Sequence, residues 1–329
     1  MSAFTARPGV VGDLDYPGGI SALDVHYVRP GLASSHLIVE SGRAALVDAG
    51  TALSVPTLLA ALTRRGLAYT DVDYVLLTHI HLDHAGGAGA LVACLPNAQV
   101  VVHPRGRAHL ENPAKLIAAT KAVYGDEAFS ALYGEILPIP ASRLISATDG
   151  MRLYMANRAF DFWHTPGHAL HHLVIHDRLT DSLFTGDTFG VSYRELDVDG
   201  RPFIFPTTSP SQFDPQQLKD SVRRIAALSP QAAYLTHYGR ITGIAKLAEQ
   251  LLTQIDQLVG FAHELATSPE PHKALNTAIF DWLNTALDRH GFPADAALRH
   301  HLLDSDVELN TQGLLSWLAR QRNEAKLNQ

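Results

Sequence analysis

Between Thr78 and Gly86 the chain places His79, His81, Asp83 and His84, four side chains of metal-binding type within six positions. Imidazole and carboxylate donors together suit zinc, iron or manganese. A cation lowers the pKa of its bound water toward neutrality, so the chemistry such a cluster offers is hydrolysis. Packing does not explain an aspartate between histidines. The flanks show how the cluster is carried. Val72-Asp73-Tyr74-Val75-Leu76-Leu77 is apolar and β-branched, which predicts a buried strand with the ligands on the loop at its C-terminal end. The run after it, from Gly86 to Ala93, reads as the start of a helix.

Three later segments share this build. His164-Thr165-Pro166-Gly167-His168 follows the strand-like Phe160-Asp161-Phe162-Trp163, a short strand ends at Asp187, and another ends at His237. Loops on one edge of a rigid scaffold are where sites are built. An earlier strand, Leu46-Val47, ends in Asp48-Ala49-Gly50. In this order the segments resemble the motifs of the metallo-β-lactamase-fold superfamily: a strand-end Asp, HxHxDH, TPGH, GD and a terminal His, over about residues 20–240. The resemblance implies an α/β fold, an αβ/βα sandwich, holding two divalent metal ions, zinc first, with iron or manganese as alternatives. It implies His79, His81 and His168 at one ion, Asp83, His84 and His237 at the other, and Asp187 between both. Asp48 would orient the ligand loop rather than bind metal, and His164 would support a ligand or donate to substrate. Asp83 would take a second, catalytic role, that of orienting the nucleophile.

The likeness runs to a glyoxalase II-like or poorly characterised hydrolase branch. It implies a dinuclear metallohydrolase in which a metal-bound hydroxide attacks the carbonyl of a thioester, ester or lactone. The alternative on the same fold is an iron-dependent oxidoreductase for persulfide or oxygen chemistry. A mononuclear iron site needs only His79, His168 and Asp187, so the presence of Asp83, His84 and His237 favours two metals. A metal-binding protein without catalysis would have little use for a complete site. Departures narrow the substrate. β-Lactamases of this fold place a cysteine in the second site or lack the bridging aspartate. Acyl-homoserine lactonases carry a tyrosine three positions after that aspartate, where this chain has Gly190, with Tyr193 nearby. Glyoxalase II enzymes continue with a Cys- and Lys/Arg-containing glutathione-binding stretch, which Thr188-Phe189-Gly190-Val191-Ser192-Tyr193 does not match. No Gly-x-Ser-x-Gly elbow or phosphate-binding loop competes.

Composition agrees with an enzyme acting on a small molecule. The 329 residues are 46% apolar and carry a formal charge of −7, with basic residues dispersed except at Arg64-Arg65 and Arg223-Arg224. Nucleic acid would need a concentrated basic surface. Met1 to Pro8 lacks the apolar core of a signal peptide, no apolar run reaches membrane-spanning length, and the lone Cys94 excludes an internal disulfide. Together these predict a cytoplasmic protein that contacts no membrane. Cys94 lies in an apolar helix-like run and reads as core packing.

Residues 22–48 suggest three short strands with a turn at Ser41-Gly42-Arg43, and residues 55–67 an amphipathic helix. Residues 103–137 form an insertion with helical patterns at 114–123 and 127–132, broken at Gly125-Asp126. Residues 189–213 read as an extended loop, and Asp214-Pro215 as a capped helix start. After Arg240 the pattern is nearly all helical. The expected division is a catalytic domain over 1–240 and a helical C-terminal extension over 241–329. The tail reads as either a small helical subdomain or a set of helices packed on the sandwich, its apolar stripes most simply core, with covering the active site or forming a homodimer interface as further roles. Substrate choice is expected in the walls, residues 103–140, 189–213 and the tail, with Tyr193 and Phe205 as candidates for an apolar surface and Tyr124 in the insertion.

Overall fold

Alternation along single strands sets the layers. On β4 (Arg43–Val47), Ala44 and Leu46 face a helical layer, while Ala45 and Val47 face a second sheet. β6 (Gln99–Val102) does the same, with Val100 and Val102 outward and Val101 inward. A sheet buried on both faces needs such a nearly continuous apolar run. The computed structural model describes residues 13–208, 210, 212–293 and 295–327; the side chains of Val123, Tyr124 and Leu327 lie outside that description, as do Met1 to Pro8.

The first sheet follows chain order: β1 (Leu14–Tyr16), β2 (Ile20–Asp24), β3 (Ser34–Glu40), β4, β5 (Val72–Leu76), β6 and β7 (Leu144–Ser146). Pairing is antiparallel through β4 and parallel beyond it. The β3–β4 hairpin turns at Ser41 and Gly42, both at positive φ (49° and 75°), the conformation a two-residue hairpin needs. The second sheet runs β8 (Arg152–Met155), β9 (Arg158–His164), β10 (Leu173–Asp177), β11 (Ser182–Gly186), β12 (Ala232–Leu235) and β13 (Gly239–Ile241), neighbours in that order. Between the sheets Ile38, Val47 and Val101 meet Phe160, Phe162 and Phe184. Helices cover the outer faces, so the sandwich expected from the motifs is the architecture observed.

The helices are α1 (Val55–Arg64), α2 (Leu82–Ala85), α3 (Ala88–Cys94), α4 (Pro104–Glu111), α5 (Ala114–Tyr124), α6 (Asp126–Tyr133) and α7 (Pro215–Ala227). Asp214 caps α7 by accepting from the Gln217 N–H at 2.9 Å, with Pro215 in its first turn. The tail forms α8 (Ile244–Leu265), α9 (Pro271–His290) and α10 (Ala296–Leu327), in keeping with the helical pattern after Arg240. Leu251, Ile279 and Leu303 of these helices join one apolar core with Phe205 and Leu218, so the tail is packed onto the sandwich. None of the helices among the described residues is long and apolar enough to cross a membrane.

Cys94 corrects an expectation: it is exposed, not packed in the core. Ala88, Leu91, Val92 and Leu95 occupy the inward arc of that helical turn, and residue 94 falls outside it. The two basic pairs have local partners: Arg64 and Arg65 meet Asp13, Arg223 meets Asp220, and Arg224 meets Asp149.

Away from the ligand loops, Arg158 of β9 is fully buried against Asp177 of β10, with Nε donating to Oδ1 at 2.9 Å and Nη1 donating to the Gly18 carbonyl. Removing one partner of a buried pair strands the other charge. Arg158→Ala is expected to lower unfolding stability by about 3–5 kcal/mol in a denaturant titration. Metal content per folded molecule should stay unchanged; a loss below about 1 kcal/mol would show that Asp177 finds other partners.

Candidate metal centre

Asp48 leaves β4 with φ of +59°, a left-handed turn that directs its carboxylate across the ends of the neighbouring strands. Oδ1 accepts from the Thr78 N–H at 2.8 Å, and Oδ2 accepts from the Thr78 and Thr236 hydroxyls at 2.9 and 2.8 Å. Oδ2 also faces His84 Nδ1 at 2.9 Å. Two chain segments that carry proposed ligands, the 78–84 loop and the end of β12, are thus tied to one buried side chain. Both of its oxygens are taken up by these contacts, as the reading of Asp48 as an orienting residue requires.

Four of the five histidines are held from behind. His84 Nδ1 donates to Asp48, His237 Nδ1 to the Leu32 carbonyl at 2.8 Å, and His168 Nδ1 to the Thr207 carbonyl at 3.4 Å. His79 Nδ1 meets the Thr78 hydroxyl at 3.1 Å. A proton on Nδ1 leaves the Nε2 lone pair directed inward. Two donor sets result. His79, His81, His168 and Asp187 bring one atom each within 4.8 Å of one another, and Asp83, His84 and His237 do likewise. Asp187 addresses both: Oδ2 is 3.3 Å from His168 Nε2, and Oδ1 is 3.2 Å from His84 Nε2.

The donor chemistry fits cations. His81 Nδ1 lies 2.9 Å from His79 Nε2 and 3.1 Å from His168 Nε2, three ring nitrogens converging on one point. His84 Nε2 and Asp187 Oδ1 are buried with no hydrogen-bond partner. A divalent ion in each set satisfies these atoms at once. Burial, reinforced by neighbouring histidines, pushes His79 well below the usual histidine pKa, and burial takes His81 down to about 3. Burial also lowers His168. These imidazoles are neutral and free to ligate. Burial opposes charge on His84 and His237 too, but Asp187 and Asp83 overcome it and raise both. Burial likewise opposes ionisation of Asp83 and Asp187, and the adjacent histidines hold both carboxyls low. The second set therefore attracts positive charge.

Supporting residues beyond the motifs also emerge. His172 is buried, with Nε2 accepting from the Asp187 N–H at 3.2 Å and Nδ1 facing the Thr165 and Thr188 hydroxyls, each at 2.9 Å. Its signal in sequence was only its nearness to the Thr-Pro-Gly-His run. His171 lies beside His79, ring centroids 6.2 Å apart. Gly186 explains the small residue before Asp187: at φ +48°, a Cβ there would sit 2.6 Å from His172 Nε2. His164 faces elsewhere, with Nε2 on the Ala147 carbonyl at 2.8 Å and its ring 4.0 Å from that of His103.

Tyr193 and Phe205 both lie in the core, with centroids 6.1 Å apart, and the Tyr193 hydroxyl donates to Asp306 of α10 at 2.9 Å. Phe129 and Tyr133 of the insertion pack on Leu82, next to Asp83 in the ligand loop. Tyr124 lies outside the described side chains.

The metallo-beta-lactamase superfamily model matches residues 28–237. In sequence the chain is 25% identical over 231 residues to the metallo-beta-lactamase fold-containing protein ST1585 of Sulfurisphaera tokodaii, covering 69% of this chain and 79% of that protein. It is 31% identical over 201 residues to hydroxyacylglutathione hydrolase of Pseudomonas aeruginosa, covering 60% of this chain. That match spans 57% of the hydrolase, just over half its length. In structure it resembles metallo-beta-lactamase family protein TTHA1429 of Thermus thermophilus, with a TM-score of 0.64 at 22% identity over 92% of this chain and 94% of that one.

Asp48→Asn keeps the shape but presents an amide N–H to His84 or to the two threonine hydroxyls, upsetting the tautomer that directs Nε2 inward. Metal affinity is expected to fall about 10–100-fold in a chelator competition, with the fold retained by circular dichroism. Wild-type affinity in the folded variant would remove the orienting role from Asp48.

Proposed function

The chain belongs to the metallo-beta-lactamase superfamily, and from that premise we propose a metal-dependent hydrolase that uses two divalent ions to cleave a thioester, ester or lactone. The observation that supports this most is Asp187, whose two oxygens face different donor sets, His168 at 3.3 Å and His84 at 3.2 Å. A carboxylate shared in this way suits two ions, and the second set is surplus to a mononuclear iron site. His79, His81, His168 and Asp187 would hold one ion; Asp83, His84, His237 and Asp187 would hold the other. The histidine-rich donors favour zinc.

When bound, such ions supply a Lewis acid for the carbonyl oxygen and bring the pKa of water to about 7. The remaining work falls to the protein. Asp83 is the most open member of its set, its side chain 19% exposed against 0% for His84 and 8% for His237. Oδ2 of Asp83 lies 3.3 Å from His237 Nε2 and 3.4 Å from His84 Nε2, which leaves Oδ1 as the oxygen not engaged by these histidines. Oδ1 orients the attacking water and takes its proton. The water oxygen bonds to the carbonyl carbon, the carbonyl–sulfur or carbonyl–oxygen bond breaks, and the leaving thiolate or alkoxide takes up the proton held on Asp83.

Likeness to hydroxyacylglutathione hydrolases supports a thioester before the other two bonds. The thiol half is a different matter. Residues 188–193 are buried against the body of the protein and contain no cysteine, lysine or arginine, so this stretch is not available to recognise glutathione.

Elemental analysis of protein kept from chelators should approach two equivalents of metal per chain, and hydrolysis of an acyl-thioester panel should cease on chelation and return with zinc. One equivalent under metal-replete conditions would count against the shared aspartate. No turnover of any thioester, ester or lactone by the loaded protein would overturn the hydrolase assignment.

Asp83→Asn separates ligation from proton transfer, because the amide oxygen still offers one donor atom. Turnover should fall about 100-fold or more while metal content falls far less. Full metal with near-normal turnover would sink the role given to Asp83.

A further inference from the structure

α10 buries an unusual amount of polar surface for a terminal helix: Asp306, Asn310 and Thr311 are 7%, 1% and 0% exposed. Residues 306, 310, 313, 317 and 320 recur at helical spacing on one face. That face lies along the segment between Tyr193 and Phe213. Asp306 accepts from the Tyr193 hydroxyl at one end, while Arg320 Nη2 donates to the Phe213 carbonyl at 2.6 Å at the other. Trp317 meets the Phe213 ring edge-on.

Asn310 holds the middle of the segment. Its Oδ1 accepts from the Thr208 N–H at 2.8 Å, and its Nδ2 donates to the Pro206 carbonyl at 3.2 Å. Its backbone carbonyl accepts from the Thr208 hydroxyl at 3.2 Å. Gly313 allows this approach, since a Cβ there would lie 2.1 Å from Thr208 Oγ1. Both neighbours of Thr207 are therefore fixed by one amide side chain. The carbonyl of Thr207 is the acceptor for His168 Nδ1, whose Nε2 faces His81 and Asp187.

We propose that Asn310 is a positioning residue for the metal centre, holding the Thr207 carbonyl that sets the tautomer and ring orientation of His168. The inference rests on the metal-binding reading above and adds to it a coupling from the C-terminal helix to one donor set. Losing the clamp lets the 206–208 segment shift and His168 rotate. Only the set containing His168 feels this directly, because His84 and His237 are held by Asp48 and Leu32. The tail thus acts on the site through a bond network, whatever else it covers.

The test is zinc binding by the full chain, measured in competition with a chromophoric chelator, and repeated in a His237→Ala background that leaves only the His168 set complete. Asn310→Ala is expected to weaken the His168 set about 10–100-fold and to leave the other equivalent unchanged. Asp306→Asn, one turn away with its acceptor for Tyr193 kept, is the control and should bind zinc as wild type. If Asn310→Ala does not fold, Asn310→Asp keeps the acceptor for Thr208 and drops only the donor to Pro206. A smaller but still selective loss is expected from it. Unchanged affinity in a folded variant, or equal weakening of both equivalents, overturns the proposal. A wild-type chain holding one zinc overturns the two-ion reading instead, and the clamp is then scored on that ion's affinity.

Discussion

A single buried carboxylate, that of Asp48, sets the mutual position of the ligand-bearing loops. Charge removed from water must be met by donors, and an unpaired buried carboxylate costs several kcal/mol. Here the donors come from two places far apart in sequence: Thr78 and His84, at the two ends of the ligand loop after β5, and Thr236 at the end of β12. Meeting the needs of one side chain therefore draws both sheets together at one edge. Ser34 reinforces the junction, its N–H donating to the Thr236 carbonyl at 2.8 Å across the sandwich. The metal donors are pre-placed because the strand ends that carry them are.

A second constraint follows from histidine chemistry. A neutral ring ligates through one nitrogen while the other carries the proton, so for four of the five histidines an outward acceptor sets the inward lone pair. Those acceptors are diverse: the Asp48 carboxylate, the Leu32 and Thr207 carbonyls and the Thr78 hydroxyl. Burial then keeps His79, His81 and His168 neutral, while Asp83 and Asp187 remain ionised. In the set of His79, His81 and His168, neutral imidazoles beside the Asp187 carboxylate leave a negative charge for a cation to balance, while in the other set Asp187 and Asp83 raise His84 and His237, whose protons a cation would displace.

The C-terminal helices are part of the same construction. Among the described residues of 189–213, regular structure is limited to a short turn of helix at Arg194–Leu196 and the isolated bridges Val191–Phe205 and Val198–Arg201. Packing supplies what the ladder lacks. Phe203 and Phe205 are buried in the core shared with α8 and α9, and polar groups of α10 satisfy backbone atoms of the segment that no strand pairs. The segment that follows the shared aspartate is thereby committed to holding the tail.

The sequence alone determined the sandwich and the seven converging donors, because strand-end ligands in a fixed order and period-two apolar runs are local signals. Asp48 was legible for the same reason, standing where a strand ends. Helix boundaries at Pro215 and the break at Gly125 were likewise carried by residues with special φ preferences. Only the tertiary structure decided what lies behind the donors. The roles of Thr78, Thr236 and His172 depend on which strand ends become neighbours, and that is not written in local spacing. Cys94 misled because its neighbours are apolar while its position on the helical arc is not inward. Tyr193 and Phe205 could have lined the site or the core with equal local logic, and contact with α10, more than a hundred residues away for Tyr193, placed them in the core. The coupling of Asn310 to His168 passes through a carbonyl, a group every residue has, so no side-chain pattern could have announced it.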